Sequence, residues 1–360
     1  MTAVTGAVDP SQIERIWIRC PNWLGDFVMA TATFQRVRTA FPGAHVTAGM
    51  RPYLRPLANG SDDFDEIVDT PRGGGLRGIW RDVREMRARR FDLAIVLPNS
   101  PATGLTPFLA RVPLRLGYKQ VRPGLMNLGL NADIGRRWWQ RRSGPPRQLT
   151  SMPRYYHDLL DVIGIPPGGT HPKLAVSDED EAWVTRYLER RGVGRDEPLL
   201  LLVVGASYGA SKLWMPERFA AISRHFQDKH GMRALVLVGP GEVALGERIA
   251  AAGDAVAMTS PVLPLNALKA LVRRGSLMIT GDTGPRHLGN AFGLPVVCMI
   301  GPNDPRYTDY CMDRTALVRK DLACSPCQRT ICPLGHQSCM RDITVEEVAE
   351  AGERLLGLSG

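Results

Sequence analysis

The feature that most constrains this chain is an alternation of short apolar runs with helical patterns, played through twice. The first series opens with "IERIWIRC" as a strand and continues with an apolar-faced helix over residues 25–40. A second strand "AHVTAGM", a helix "LRGIWRDVREMRARR" and a third strand "FDLAIVLP" follow. The second series opens at "PLLLLVVG" and runs through strands "ALVLVG", "LMITGD" and "PVVCMIG", each separated from the next by helical patterns. Such alternation predicts βαβ units on parallel sheets. The expected fold class is therefore α/β: two Rossmann-like units, residues 1–175 and 176–340, facing each other across a cleft. Residues 341–360, with the helical pattern "TVEEVAEAGERLL" and no strand after it, are expected to pack back on the first unit. Residues 135–153 break the rhythm, with "GRRWWQRRSGPPRQ" dense in Arg, Trp and Pro.

Composition narrows the function classes. At 360 residues, two domains of roughly 100–200 residues each can both hold a sizeable core. With 44% hydrophobic and 22% charged residues the chain is that of an ordinary globular protein, not a disordered one. A net charge of +9 points to anionic partners: nucleic acid, phosphorylated sugars or a membrane surface. No apolar run approaches the ~20 residues of a membrane span, and "MTAVTGAVDPSQIERIW" lacks a secretion signal, so the cytoplasm is the expected compartment.

Seven cysteines, an odd number, argue against a secreted disulfide scaffold. Four of them, Cys324, Cys327, Cys332 and Cys339, cluster in "CSPCQRTICPLGHQSC" with His336 among them. Their spacing permits zinc or an iron–sulfur cluster, and equally a packed group of reduced thiols.

In parallel sheets ligands bind beyond the carboxyl ends of the strands, and four loops fall there. After the first strand, "CPNWLGDF" carries Asp26 at a helix start, either as a cap or as a carboxylate that takes a proton from an attacking hydroxyl. "GASYGASKLWMP" spells the G-x-S-x-G of a serine-hydrolase elbow around Ser207, but the following helix signal waits until Pro216. It also fails the P-loop pattern at Ala210 and Leu213, which leaves a Gly/Ser loop with Ser207, Tyr208 and Lys212, a point charge suited to phosphate. "VGPGEVALG" partly matches a dinucleotide fingerprint and offers Glu242 to the hydroxyls of a ribose. The fourth, "GDTGPRH", sets Asp282, Thr283, Gly284 and His287 at a strand-to-helix turn, where helix-start amides suit a phosphate. Taken together, two acids, a lysine, amides and a histidine suit a nucleoside diphosphate plus a hydroxyl acceptor better than hydride transfer.

These stretches, in this order, resemble a known family. "IRCPNWLGDFVMAT", "GASYGASKLWMPERF", "LVGPGE", "TGDTGPRHLGNAFGLPVV" and "IGPNDPRYT" are similar to the ADP-heptose:lipopolysaccharide heptosyltransferases of glycosyltransferase family 9, and the cysteine run resembles the heptosyltransferase II branch. The resemblance implies a GT-B fold, with the acceptor held mainly by the first unit and the donor by the second. It implies inverting transfer of heptose from ADP-heptose to the inner core of lipopolysaccharide, with no metal and no other cofactor. By it, Asp26 is the catalytic base and Lys212 holds the diphosphate and assists its departure. Ser207 and Tyr208 flank the donor, Glu242 meets the ribose, and Asp282, Thr283, Gly284 and His287 contact heptose and phosphates. The partners implied are ADP-heptose and a lipid-anchored acceptor met at the inner face of the membrane, not nucleic acid. Heptose I is the expected acceptor, with Kdo or another glycan as alternatives. Two readings from other classes stand beside it: a serine hydrolase using Ser207, and a nucleotide-sugar-binding protein without catalysis.

Overall fold

The computed structural model describes residues 8–70, 75–119, 122, 124–130 and 149–358, so the Arg/Trp-rich stretch 135–148 lies outside the described residues. The chain divides into two compact units with the boundary between Lys173 and Leu174.

In the first unit, strands β1 (Arg15–Arg19), β2 (His45–Met50), β3 (Glu66–Asp69), β4 (Leu93–Val96) and β5 (Leu114–Gly117) form one sheet in the order β3-β2-β1-β4-β5. The pairings β1–β2, β1–β4, β2–β3 and β4–β5 are parallel. β1 is central, so Arg19 at its carboxyl end lies between Gly49 of β2 and Val96 of β4. The strand order reverses between β1 and β4, the place where ligands of open α/β sheets bind. Out of that place runs the helix Leu24–Ala40, with Asp26 in its first turn. Close packing fixes the sheet locally: a Cβ on Gly49 would come within 2.1 Å of the Trp17 ring.

The second unit holds β6 (Leu199–Val203), β7 (Arg233–Leu237), β8 (Val256–Ala257), β9 (Leu277–Gly281), β10 (Val296–Met299) and β11 (Thr315–Val318), in the order β11-β10-β9-β6-β7-β8. All five residues of β6, "LLLLV", are buried, as expected of a central parallel strand covered on both faces. Here the order reverses between β6 and β9. The helix Pro216–His230 starts with Pro at its first position and ends at Gly231 with φ 62, the usual asymmetry of helix ends.

The closing helix Val345–Leu356 begins in a capping box formed by Thr344 and Glu347. It packs against Pro216–His230 and against β9, β10 and β11, within the second unit. Its apolar stripe (Val348, Ala349, Ala351, Gly352) finds a surface in its own unit, where a Cβ on Gly352 would come within 2.7 Å of the Phe226 ring.

Candidate active site

The reversal in strand order between β6 and β9 brings the lysine loop and the "GDTGPRH" turn together, although 70 residues separate them in sequence. Lys212 is 8% exposed; its Nζ donates to the Asp282 carbonyl at 2.6 Å and approaches Asp282 Oδ2 at 3.2 Å. Asp282 Oδ1 accepts from Nη1 of the fully buried Arg286 at 3.0 Å, and Asn303, from the loop after β10, donates to Oδ2 at 2.8 Å. Arg286 is held in turn by Thr308, whose Oγ1 and carbonyl accept at 2.8 and 2.9 Å. Burial alone would raise the Asp282 carboxyl, but the charges of Lys212 and Arg286 overcome it and hold the group well below the usual carboxylate range. Two cations share one carboxylate, so the cluster keeps one positive charge at the start of the helix Gly284–Ala291. Both the charge and the helix end favour an anion.

Around this centre the other residues singled out from the sequence take definite places. Glu242 spans two loops: Oε1 accepts from the Ala206 amide at 3.1 Å and Oε2 from the Gly239 amide at 2.8 Å. Gly205 leaves room for that carboxylate: a Cβ there would fall 1.8 Å from Glu242 Oε2 and push it aside. Each carboxylate oxygen still has a second lone pair to offer a ribose hydroxyl. Thr283 donates its amide to the Gly281 carbonyl at 2.8 Å, so of the two turn amides offered by the sequence this one is already committed within the turn. His287 is buried with Nδ1 against the Tyr310 hydroxyl, and burial, reinforced by Arg286, lowers its pKa to about 3. It is a neutral imidazole at physiological pH. Tyr208 is 42% exposed and its ring lies 4.6 Å from Lys212 Nζ. Ser207 is exposed on the same turn; a single 3-10 turn, Ala210–Lys212, follows it and the α-helix starts only at Pro216, so the strand–serine–α-helix elbow of a hydrolase is not formed.

In the first unit, the cap of the helix Leu24–Ala40 is Trp23, and Asp26 lies inside the first turn, half-buried. The loop before it is pinned at Asn22. Its Oδ1 accepts from Arg19 Nη2 at 2.7 Å and from Arg51 Nε at 3.1 Å, and its carbonyl accepts from the Tyr53 hydroxyl at 2.7 Å. A cavity of about 530 Å³ is lined by Arg19, Asn22, Arg51 and Asp69, with Trp17 and Phe91 as apolar wall.

The four cysteines are free thiols on the segment between β11 and the closing helix. Burial, and then the three other thiols, push Cys339 up to about 11, whereas backbone N–H groups from Gln337 and Leu334 to His336 lower Cys332. His336 accepts the Ser338 amide on Nδ1 at 2.9 Å and so faces its own backbone. Among the described residues, the potential metal-ligand atoms that converge within 4.8 Å belong to His225, His230 and Glu353, not to these cysteines.

Sequence reasoning left Arg286 and Asn303 without roles, and both prove to be partners of Asp282. The signal for Asn303 was present: "GPNDP" directly follows a strand, at the same sheet edge as the other loops.

Residues 79–337 match glycosyltransferase family 9 (heptosyltransferase). The chain belongs to that family. Over 95% of its length this family 9 chain is 30% identical to 98% of a lipooligosaccharide heptosyltransferase 2 of Campylobacter jejuni subsp. jejuni serotype O:2. It is 23% identical to lipopolysaccharide heptosyltransferase 2 of Escherichia coli strain K12, covering 95% of this chain and 98% of that one. Among solved structures, a glycosyl transferase family 9 protein from Veillonella parvula superposes with a TM-score of 0.83 at 21% identity, over 99% of this chain and 100% of that one. ADP-heptose lps heptosyltransferase II of E. coli superposes with a TM-score of 0.76 at 21% identity, over 95% and 98%. The family 9 chain thus has the α/β GT-B fold read from its sequence.

Proposed function

We propose that this family 9 chain is an inverting heptosyltransferase that moves heptose from ADP-heptose onto the inner core of lipopolysaccharide, with heptose I as acceptor. The observation that carries the reading is the Lys212–Asp282–Arg286 cluster, a net cation at the strand-order reversal of the second unit. A diphosphate is the ligand such a site suits. The relatives named heptosyltransferase 2 support heptose as the transferred group.

The reaction needs a hydroxyl oxygen of the acceptor to attack the anomeric carbon of the donor. The C–O bond to the β-phosphate breaks on the opposite face, and the configuration inverts. Asp26 takes the hydroxyl proton. Negative charge grows on the departing ADP, where Lys212 and the amide of Gly284 stabilise it more in the transition state than in the ground state. Glu242 orients the ribose while it holds two loops together, Ser207 and Tyr208 flank the donor, and Asp282 and His287 shape its sugar and phosphate contacts. On this reading the charge stabilisation comes from protein groups and no divalent ion takes part. The acceptor is anionic and lipid-anchored, and the net charge of +9 favours its approach at the inner face of the membrane. No helix of the described residues is long and apolar enough to cross one.

The test is transfer from ADP-heptose to defined truncated core acceptors, read by mass spectrometry. A single heptose added to a Kdo–heptose acceptor supports the proposal. Addition to a Kdo-only acceptor would move the assignment to a different acceptor, and ADP-heptose binding without transfer to any acceptor would overturn catalysis.

A further inference from the structure

The cysteine-bearing segment has no part in the chemistry above, yet it lies against the loop that carries Lys212. Ser211, directly before the lysine, is 3% exposed. Its Oγ donates to the Arg329 carbonyl at 2.6 Å and its amide to the Thr330 carbonyl at 3.1 Å. Before it in the chain, the Tyr208 hydroxyl donates to the Gln328 carbonyl at 3.0 Å. Gln337 completes the contact from the far end of the segment: its Nε2 donates to the carbonyls of Ala210 and Leu213 at 2.9 and 3.1 Å. These five hydrogen bonds bracket Lys212 on both sides. The approach is close enough to dictate a residue type. Gly209 sits at φ 152, and a Cβ there would come 2.4 Å from the Thr330 carbonyl oxygen.

The segment is itself fixed to the loop after β10. The Gln328 amide donates to the Pro302 carbonyl at 2.8 Å, and Ser325 Oγ donates to the Gly301 carbonyl at 2.7 Å. That loop supplies Asn303, which bonds Asp282. One segment therefore ties the lysine loop to the loop that holds the lysine's counter-ion. Gln328 and Gln337 both adopt left-handed backbone, φ 57 and 51, which a residue with a side chain keeps only where its surroundings impose it. Both are positions where the segment grips the lysine loop.

A lysine side chain has a long flexible stem, so the place of its ammonium depends on how firmly its backbone is held. The Gly/Ser-rich loop Gly205–Ser211 has little stiffness of its own. We propose that the segment Gln328–Gln337 is a brace for the donor site, with Gln337 and Ser211 as positioning residues that set Lys212 against the diphosphate. This rests on the reading of Lys212 as the diphosphate ligand.

The test is a double-mutant cycle on ADP affinity, measured by calorimetry on the full chain. Lys212→Ala should weaken ADP by roughly tenfold to a hundredfold, the range for one hydrogen bond to a charged group. Gln337→Ala should weaken it by at least roughly fivefold, the lower end for two neutral hydrogen bonds, and by no more than Lys212→Ala does. If Gln337 acts through the lysine, the double variant binds ADP no more weakly than Lys212→Ala alone. Fully additive losses, or a Gln337→Ala variant with wild-type affinity beside a weakened Lys212→Ala, would overturn the brace while leaving the lysine assignment intact. An unchanged ADP affinity in Lys212→Ala would overturn that assignment and the brace with it. If Gln337→Ala does not fold, Gln337→Met keeps the length, removes the donor without adding charge and takes its place in the cycle under the same criteria.

Discussion

Replacing Asp282 by Asn probes the centre of the donor unit, because that carboxylate is the counter-ion of two buried cations, Lys212 and Arg286. The substitution keeps the shape and removes the charge. Arg286 is fully buried and cannot regain water, so the cost is that of breaking a buried ion pair, about 3–5 kcal/mol. For a unit of this size, each kcal/mol shifts the midpoint by roughly 2–4 °C, so even the lower figure predicts a fall of about 6–12 °C. The assay is thermal unfolding of wild type and Asp282→Asn with and without ADP. ADP supplies a polyanion beside the uncompensated cations, so the variant should gain more from the nucleotide than wild type does. Every tenfold gain in relative affinity adds about 1.4 kcal/mol, or roughly 3–6 °C of extra protection. An unchanged midpoint without nucleotide would refute the buried-pair argument. A lowered midpoint with no enhanced protection would show that the diphosphate does not sit on this cluster. The pH dependence has a defined sign. The folded state holds the carboxyl below its ordinary value, so its stabilisation is present above about pH 4 and fades as pH falls further.

Asp26→Asn should lower turnover by about 10²–10⁴ while ADP affinity stays within a few-fold of wild type; near-normal turnover in a steady-state transfer assay would leave Asp26 only a first-turn acid. EDTA should leave the rate of the wild-type enzyme unchanged, and a loss restored by magnesium would refute the metal-free chemistry. Gly205→Ala should weaken ADP binding, because the new Cβ displaces the Glu242 carboxylate from the amides of Ala206 and Gly239; calorimetry checks it. Glu353 joins the closing helix to Pro216–His230: hydrogen bonds from Lys229, His230 and His225 hold its pKa at about 2, so its stabilisation is complete above about pH 4.5 and lost as pH falls towards 2. Glu353→Gln should therefore unfold more easily at neutral pH and show a shallower acid limb, and identical pH–stability curves would refute the latch.

By itself the sequence determined the elements and the loops that matter. Its strand and helix periods mark seven of the eleven strands of the described residues, β1, β2, β4, β6, β7, β9 and β10, approximately at their ends, while the short strands β3, β5, β8 and β11 owe their pairing to their neighbours. The same periods place Asp26, Lys212, Glu242 and Asp282 just after strands. These are local properties, set by side-chain periodicity and by the residues that start helices. Which loops become neighbours was decided by the tertiary structure, because strand order is not written in any local pattern. Pairing of β9 with β6 brings Lys212 to Asp282 and makes one carboxylate serve two cations. Docking of Gln328–Gln337 on the lysine loop and burial of His287 against Tyr310 likewise join residues with no sequence relation. The closing helix shows the same limit. Its apolar stripe was legible, but the surface that covers it, beside Phe226 in its own unit, depended on shape complementarity at Gly352, which periodicity does not encode.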